Sequence, residues 1–364
     1  MKKTLLAAAL IVGFAGVAQA ETSVTMYGIL DTGYGYSNYK LNGDDFTIKA
    51  TSSGLTSGIF NGNRWGVRGS EDLGDGLRAI FTLESGFDIG NGNHQQGGSF
   101  FGRQAFVGLA SDNWGSLTMG RQYNIATQLT YNVNSSVAMG DMEKTFGSVG
   151  LGNRMNNSFK YMTPDFSGFK AGVAYGNPNT TIVRSEDVFG VSDDLNRSNW
   201  TSAGLGYENG PLTAGVSYDR LSQDDGKALT AWVVSGAYDF EIVKLALAYG
   251  QDRHGKLPGW AAPLGGLADA ADLELPEGFR SHNYHVSLSA PLGGGVAVAS
   301  WSRSSSNLDD YYGDTKSQNI YHLNYNYPLS KRTSVYAYGS YGTGLAYVDN
   351  LKGRELGLGL NHKF

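Results

Sequence analysis

Short and long connections alternate along this chain without exception, and that regularity limits the fold more than any single motif does. Segments of alternating polarity are joined by tight turns: Glu71-Asp-Leu-Gly-Asp-Gly76, Ser111-Asp-Asn-Trp-Gly115, Pro164-Asp-Phe-Ser-Gly168, Glu208-Asn-Gly-Pro211, Asp239-Phe-Glu-Ile242, Pro291-Leu-Gly-Gly-Gly295 and Pro328-Leu-Ser-Lys-Arg332. Gly, Asn and Asp supply the positive φ and the side-chain-to-backbone hydrogen bonds that hairpin turns need. Between them lie longer polar connections near residues 35–63, 88–102, 122–153, 177–199, 221–229, 252–282, 304–317 and 342–353. Seven tight turns and eight long connections join sixteen strands, with both chain ends on the tight-turn side. A soluble sandwich or propeller has no reason to sort its connections this way. A closed antiparallel barrel in a bilayer does, because its strand number is even and its two rims face different compartments.

The strand pattern agrees. From Arg354 to Phe364, Leu356, Leu358, Leu360, His362 and Phe364 share one face, and Glu355, Gly357, Gly359, Asn361 and Lys363 share the other. This suits a tilted membrane-spanning strand of about 9–11 residues. Read instead as an edge strand of a soluble sheet, it would leave its apolar face uncovered. Arg64-Trp-Gly-Val-Arg68 sets Trp65 and Val67 against Arg64 and Arg68, and Arg78–Glu84 sets Ala79, Phe81 and Leu83 against Thr82 and Glu84. The expectation is an all-β fold: a 16-stranded antiparallel transmembrane β-barrel with short periplasmic turns and long outer loops. A barrel this wide encloses water rather than a packed core, which accounts for a polar inner face.

Composition narrows the alternatives. With 52 Gly against 8 Pro, the chain is poor helix material, since Gly costs about 1 kcal/mol relative to Ala in a helix. No Cys is present, so no disulfide framework holds a small core together. A formal charge of −5 gives no basic footprint for nucleic acid. Met1-Lys-Lys, an apolar run from Leu5 to Val17 and Ala18-Gln-Ala20 form an export leader, expected to be cleaved between Ala20 and Glu21 and to leave a barrel over 21–364.

One connection stands apart. Gln122–Asn153 has no period of its own, and an irregular stretch this long in a compact domain is functional or disordered. Asp141, Glu143 and Phe146 in its middle favour an ordered loop, and this third long loop is expected to fold into the bore and narrow it.

Seven segments together resemble the general porins of Gram-negative outer membranes, the β-proteobacterial group above all. They are Ser23-Val-Thr-Met-Tyr-Gly28, Asn63–Ala79, Leu83-Glu-Ser-Gly-Phe87, Phe101–Gly108, Leu117-Thr-Met-Gly-Arg-Gln122, Asn153-Arg-Met-Asn-Asn-Ser158 and the terminal Phe364. The resemblance implies a homotrimer in the outer membrane, among lipid and lipopolysaccharide, that passes ions and small hydrophilic solutes. It implies a pore waist in which Arg64, Arg103 and Arg154 on the wall face Asp141 and Glu143 on the third loop. Arg68, Arg121, Tyr27, Asp31 and Glu84 are further lumen candidates, and Phe364 resembles the signal read by the outer-membrane assembly machinery. Opposed charge rows in a narrow aqueous pore orient water and bias ion choice, less so in high salt.

Blander readings stand beside these. Arg64 could be a solvated lumen arginine paired to Glu84, Arg154 could cap the loop, and Asp141 and Glu143 could form a hydrated tip whose field Lys144 weakens. If Arg103 faces the bore, Gln104 and Phe106 take the lipid-side phase. No cofactor is expected, although Ca²⁺ at the loop acids is left open. There is no G-x-S-x-G and no His–Glu metal motif, which speaks against an enzyme barrel. The alternative function is a surface receptor or adhesin, with the loop at 252–282 as its binding part and the pore incidental.

Overall fold

The computed structural model describes residues 22–43, 46–148, 150–187, 190–222, 227–254, 278–309 and 316–364. The expected leader, with its cleavage site at Ala20 and Glu21, lies outside them, as does most of the connection at 252–282.

One antiparallel sheet of seventeen strands makes up the chain. The first are β1 (Ser23–Asn42), β2 (Thr47–Ser57), β3 (Arg64–Gly74), β4 (Leu77–Gly86), β5 (Gln104–Ser111) and β6 (Gly115–Tyr123). Then come β7 (Arg154–Met162), β8 (Phe169–Asp187), β9 (Gly190–Asn209), β10 (Leu212–Ser222), β11 (Leu229–Asp239) and β12 (Lys244–Arg253). The last are β13 (Arg280–Leu292), β14 (Gly295–Ser306), β15 (Gln318–Pro328), β16 (Thr333–Thr343) and β17 (Leu351–Lys363). β1 closes the ring against β17, from Ile29↔Lys363 to Leu41↔Leu351. Sixteen strands, β1 and β3 to β17, form the closed barrel, and β2 lies outside that count.

β2 corrects the expected long connection at 35–63. The lower part of β1, Ser23–Ile29, pairs with β3, and its upper part, Thr32–Asn42, pairs with β2. β2 is therefore the returning arm of a hairpin that continues the wall above β3. The connection at 177–199 is also mostly strand, because β8 and β9 stay paired up to Asp187↔Gly190. Its run Thr180-Thr-Ile-Val183 is β-branched, and a strand that already has a partner needs no apolar face once it has left the bilayer.

The tight turns hold as expected. Asp75-Gly76, with φ of 51° and 73°, joins β3 to β4, and Gly293-Gly294, with φ of 56° and 86°, joins β13 to β14. Two residues of positive φ match the right-handed strand twist in a two-residue hairpin.

Outward faces are apolar and exposed, as Val24, Leu109, Leu205, Leu247, Leu323, Leu356 and Leu358 show. Inward faces carry Ser217, Ser235, His285, Ser302, His322 and Asn361, all buried. In β17 the inward glycines make room for tyrosines of β16: a Cβ at Gly357 would stand 2.6 Å from the Tyr338 ring.

The expected polar inner face has one exception. Ala231, Val233, Ala237, Ala246 and Ala248 of β11 and β12 point inward and are buried. Val233, Ala237, Ala246 and Ala248 pack against Ala126, Val133, Met142, Phe146 and Leu151 of the connection between β6 and β7, and Ala231 joins the second cluster below. A second cluster sets Ile125 and Leu129 of that connection against Met155, Ala174, Trp200 and Leu229.

Candidate functional site

The connection between β6 and β7 begins with α1 (Ile125–Leu129) and includes α2 (Glu143–Phe146). Asn124 caps α1, accepting from Thr127 N at 3.2 Å, and its amide donates to Asp219 Oδ1 at 2.9 Å on β10. Further along, Ser235 Oγ donates to Thr130 O at 2.9 Å, and Ser136 Oγ lies 2.6 Å from Ser300 Oγ. Met139 N donates to Glu355 Oε2 at 3.0 Å. These partners sit on β10, β11, β14 and β17, so the segment is tied to the inner wall at widely separated strands.

A cavity of about 960 Å³ lies against this segment. Arg64, Arg103, Arg154, Asp141 and Glu143 all line it, with Lys144, Glu355, Tyr123 and Tyr131. Arg64 opens β3 and donates through Nε to Gly62 O at 2.9 Å. A Cβ at Gly62 would stand 3.2 Å from Arg103 Nη1 and 3.8 Å from Arg64 Nη2, so the two guanidinium groups converge over a bare backbone. Arg103 Nε donates to Glu84 Oε1 at 2.7 Å in a buried ion pair, and its Nη2 donates to Tyr123 Oη at 2.8 Å. Arg154 also donates to Tyr123 Oη and lies over its ring, 4.3 Å from the centroid. Arg154 Nε is buried and finds no hydrogen-bond partner among the described residues.

The acids sit on the connecting segment. Tyr131 Oη donates to both carboxylate oxygens of Asp141, at 2.8 and 2.7 Å. Burial first, and then the neighbouring Glu143, push the Asp141 carboxyl up to about 6. Burial and Asp141 push the Tyr131 phenol well above its ordinary range. The Glu143 carboxyl lies over Gly152, where a Cβ would meet Glu143 Cδ at 2.4 Å.

The remaining sequence candidates spread out. Glu84 pairs with Arg103 rather than with Arg64, and accepts from Tyr27 Oη at 2.9 Å. Arg68 stands over the Tyr27 ring, 5.4 Å from its centroid. Arg121 donates to Gly102 O at 2.8 Å and to Asn156 Oδ1, and is not among the residues lining the cavity. Asp31 is fully buried: it accepts from the backbone N–H of Ile59, Phe60 and Asn61, from Tyr336 Oη and from Asn361 Nδ2. It pins the segment returning from β2 to β3 and meets no solvent. The expected lipid-side phase of Gln104 and Phe106 is corrected. They pair across strands with Glu84 and Thr82, on the inward face, while Val107 and Leu109 are exposed outward. Arg103 precedes β5, so its direction is not tied to the phase of that strand.

Tyr123, Glu355 and Lys160 carry parts of this site that the residue pattern did not single out. Glu355 already stood on the polar face of the last strand. Lys160 also follows the inward phase of its strand; it is buried, and its Nζ donates to Tyr123 O at 3.1 Å. Tyr123 ends β6 after a register shift, and nothing in the sequence marks it. Among the described residues, no three His, Asp or Glu side chains gather as a metal site.

A family model described as Gram-negative porin matches residues 7–347. An outer membrane porin protein of Bordetella pertussis is 41% identical, over 100% of both chains. Outer membrane porin protein 32 of Delftia acidovorans is 31% identical, over 98% of this chain and 92% of its own. Among solved structures, an anion-selective porin from Comamonas acidovorans superposes with a TM-score of 0.72 at 24% identity, over 94% of this chain and 100% of its own.

Proposed function

The chain belongs to the Gram-negative porins of the outer membrane, and from that premise we propose that it is a diffusion channel whose waist lies where Arg64, Arg103 and Arg154 face Asp141 and Glu143. The observation that carries this reading is that three arginines, from the ends of different strands, line one cavity with the acids of a single connecting segment. On this reading the segment over 122–153 narrows the passage, and small hydrophilic solutes and ions cross in water alongside it.

The charges favour anions. Arg103 is already matched by Glu84, but Arg64 and Arg154 have no carboxylate partner among the described residues. On the other side, burial and Glu143 raise the Asp141 carboxyl to about 6, so the acidic row loses charge as the pH falls below neutral. Opposed rows leave a transverse field that apolar solutes must disrupt by displacing oriented water, and the field shrinks as salt shortens the screening length to about 8–10 Å and below.

The assembly is proposed to be a homotrimer, with lipopolysaccharide around it. Phe364 pairs by backbone with Gly28, at 3.1 Å in both directions, and leaves its ring partly exposed, as an assembly signal must before the barrel closes.

The test is single-channel recording in a planar bilayer under a salt gradient, on the wild type and on Arg154→Ala. Conductance in steps of three, with a reversal potential on the anion side that moves toward cations in the variant, supports the proposal. Conductance without a shift moves the selective site elsewhere. Absence of conductance overturns the channel reading and favours a surface receptor.

A further inference from the structure

The outward face of β10 to β13 changes character in ordered steps. Near mid-height it is aliphatic, with Val234, Leu247 and Leu288 all exposed. Toward the long-connection rim it becomes aromatic: Trp232 and Tyr249 lie 5.2 Å apart and Tyr249 and Tyr284 5.0 Å apart, centroid to centroid. Such rings mark the level where acyl chains give way to headgroups. One step further the face is cationic. Arg220 pairs across strands with Thr230, Thr230 with Arg253, and Arg253 with Arg280. The three arginines therefore stand in one lateral row across four strands, and all are exposed.

Two features of the row call for an anion. Arg253 and Arg280 are directly opposed, and like charges in that position repel unless something neutral or negative lies between them. No carboxylate among the described residues comes within ion-pair distance of any of the three. Strand spacing of about 4.8 Å puts Arg280 roughly 5 Å and Arg220 roughly 10 Å from Arg253 along the rim. Guanidinium groups at that spacing can fork onto the oxygens of phosphate esters.

We propose that Arg220, Arg253 and Arg280 form a binding site for the phosphorylated headgroup of a glycolipid in the outer leaflet, with its acyl chains running down over Trp232, Tyr249 and Tyr284. The occupant is a lipid rather than free phosphate, because the cationic row continues directly into an aromatic and then an aliphatic surface. The site faces outward, away from the cavity beside the segment that joins β6 to β7, so it is independent of which ions pass.

The test uses the full-length protein, purified in mild detergent, stripped of lipid and confirmed as folded by its heat-modifiable gel mobility and wild-type conductance. Binding is followed by native mass spectrometry with three probes: lipopolysaccharide bearing phosphorylated lipid A, the same lipopolysaccharide after enzymatic dephosphorylation, and inorganic phosphate. The expected result is retention of the phosphorylated lipid by the wild type and at least tenfold weaker retention by Arg220→Gln/Arg253→Gln/Arg280→Gln. The dephosphorylated lipid binds the wild type no better than the intact lipid binds the variant. Arg78→Gln, a charge removed at the opposite rim, leaves binding unchanged. If the triple variant folds poorly, Arg280→Gln alone is read, with a drop of at least threefold. Equal retention by variant and wild type, or equal binding of the two lipids, overturns the proposal. Capture of inorganic phosphate as tightly as the lipid overturns the lipid assignment.

Discussion

Truncating Phe146 is the sharpest way to ask what holds the segment between β6 and β7 in place. Phe146 is 1% exposed and packs with Met142, Val133 and Leu151 against the small inward residues Val233, Ala237, Ala246 and Ala248. Its ring comes so close to β12 that a Cβ at Gly250 would stand 3.3 Å from it. Buried Phe→Ala changes cost about 3–5 kcal/mol. Area gives the same scale: roughly 150–250 Å² removed from contact, at about 25 cal/mol per Å², is about 4–6 kcal/mol as an upper bound. The barrel's ladder of backbone hydrogen bonds does not involve this side chain, so the loss falls on docking of the segment rather than on closure of the wall. A loss of about 4 kcal/mol multiplies the undocked fraction by roughly a thousand. Phe146→Ala is therefore expected to show raised open-channel noise and faster liposome swelling with an oligosaccharide near the size limit, at an almost unchanged melting temperature. Phe146→Leu keeps most of the buried volume and is expected to behave nearly as wild type. Noise and swelling rate at wild-type values in the alanine variant, once the fold is confirmed, would refute the packing argument.

Two other perturbations test the charges. Glu84→Ala strands the buried Arg103 guanidinium and should cost about 3–5 kcal/mol, read as an earlier loss of the heat-modifiable gel band. The double variant with Arg103→Ala should recover part of that loss, and a single variant that melts with the wild type contradicts the buried pair. Lowering the pH from 7.5 to 5 carries Asp141 through its raised pKa of about 6. The carboxyl gains a proton, the acidic row loses charge and the reversal potential moves toward anions; Asp141→Asn should hold the low-pH value throughout, and a pH shift that persists unchanged in that variant assigns it to another group.

The barrel was legible because period-2 alternation and the sorting of short from long connections are both properties of local sequence. The extents of β1, β2, β8 and β9 were not, because above the bilayer a strand is held by its neighbour and not by an apolar face. The five waist candidates could be named, and they do line one cavity. Their pairing could not be read, since it depends on how strands far apart in sequence close on one another. The sequence offered Glu84 as a partner for Arg64, whereas it pairs with Arg103, which stands just before β5 and is not tied to the phase of that strand. Asp31 was a lumen candidate on a strand whose phase the sequence left ambiguous; it is buried, and three backbone N–H groups of residues 59–61 occupy its carboxylate. Tyr123 left no trace because its role comes from two arginines meeting on one phenol.

The cavity takes its lining from the segment between β6 and β7, from β1 and β2, from the ends of β3, β6 and β7 and the connections before β3 and β5, and from β16 and β17; among the described residues, none of it comes from β8 to β15. The inner faces of β8, β9, β11 and β12 are instead covered by apolar side chains of the segment between β6 and β7. On the proposed reading of that cavity as the pore waist, insertions or deletions in the outer connections over β8 to β15 would alter the outer surface without touching the waist lining. Outer surface and passage would then draw on different arcs of one ring, so the first could vary while the second stayed constant.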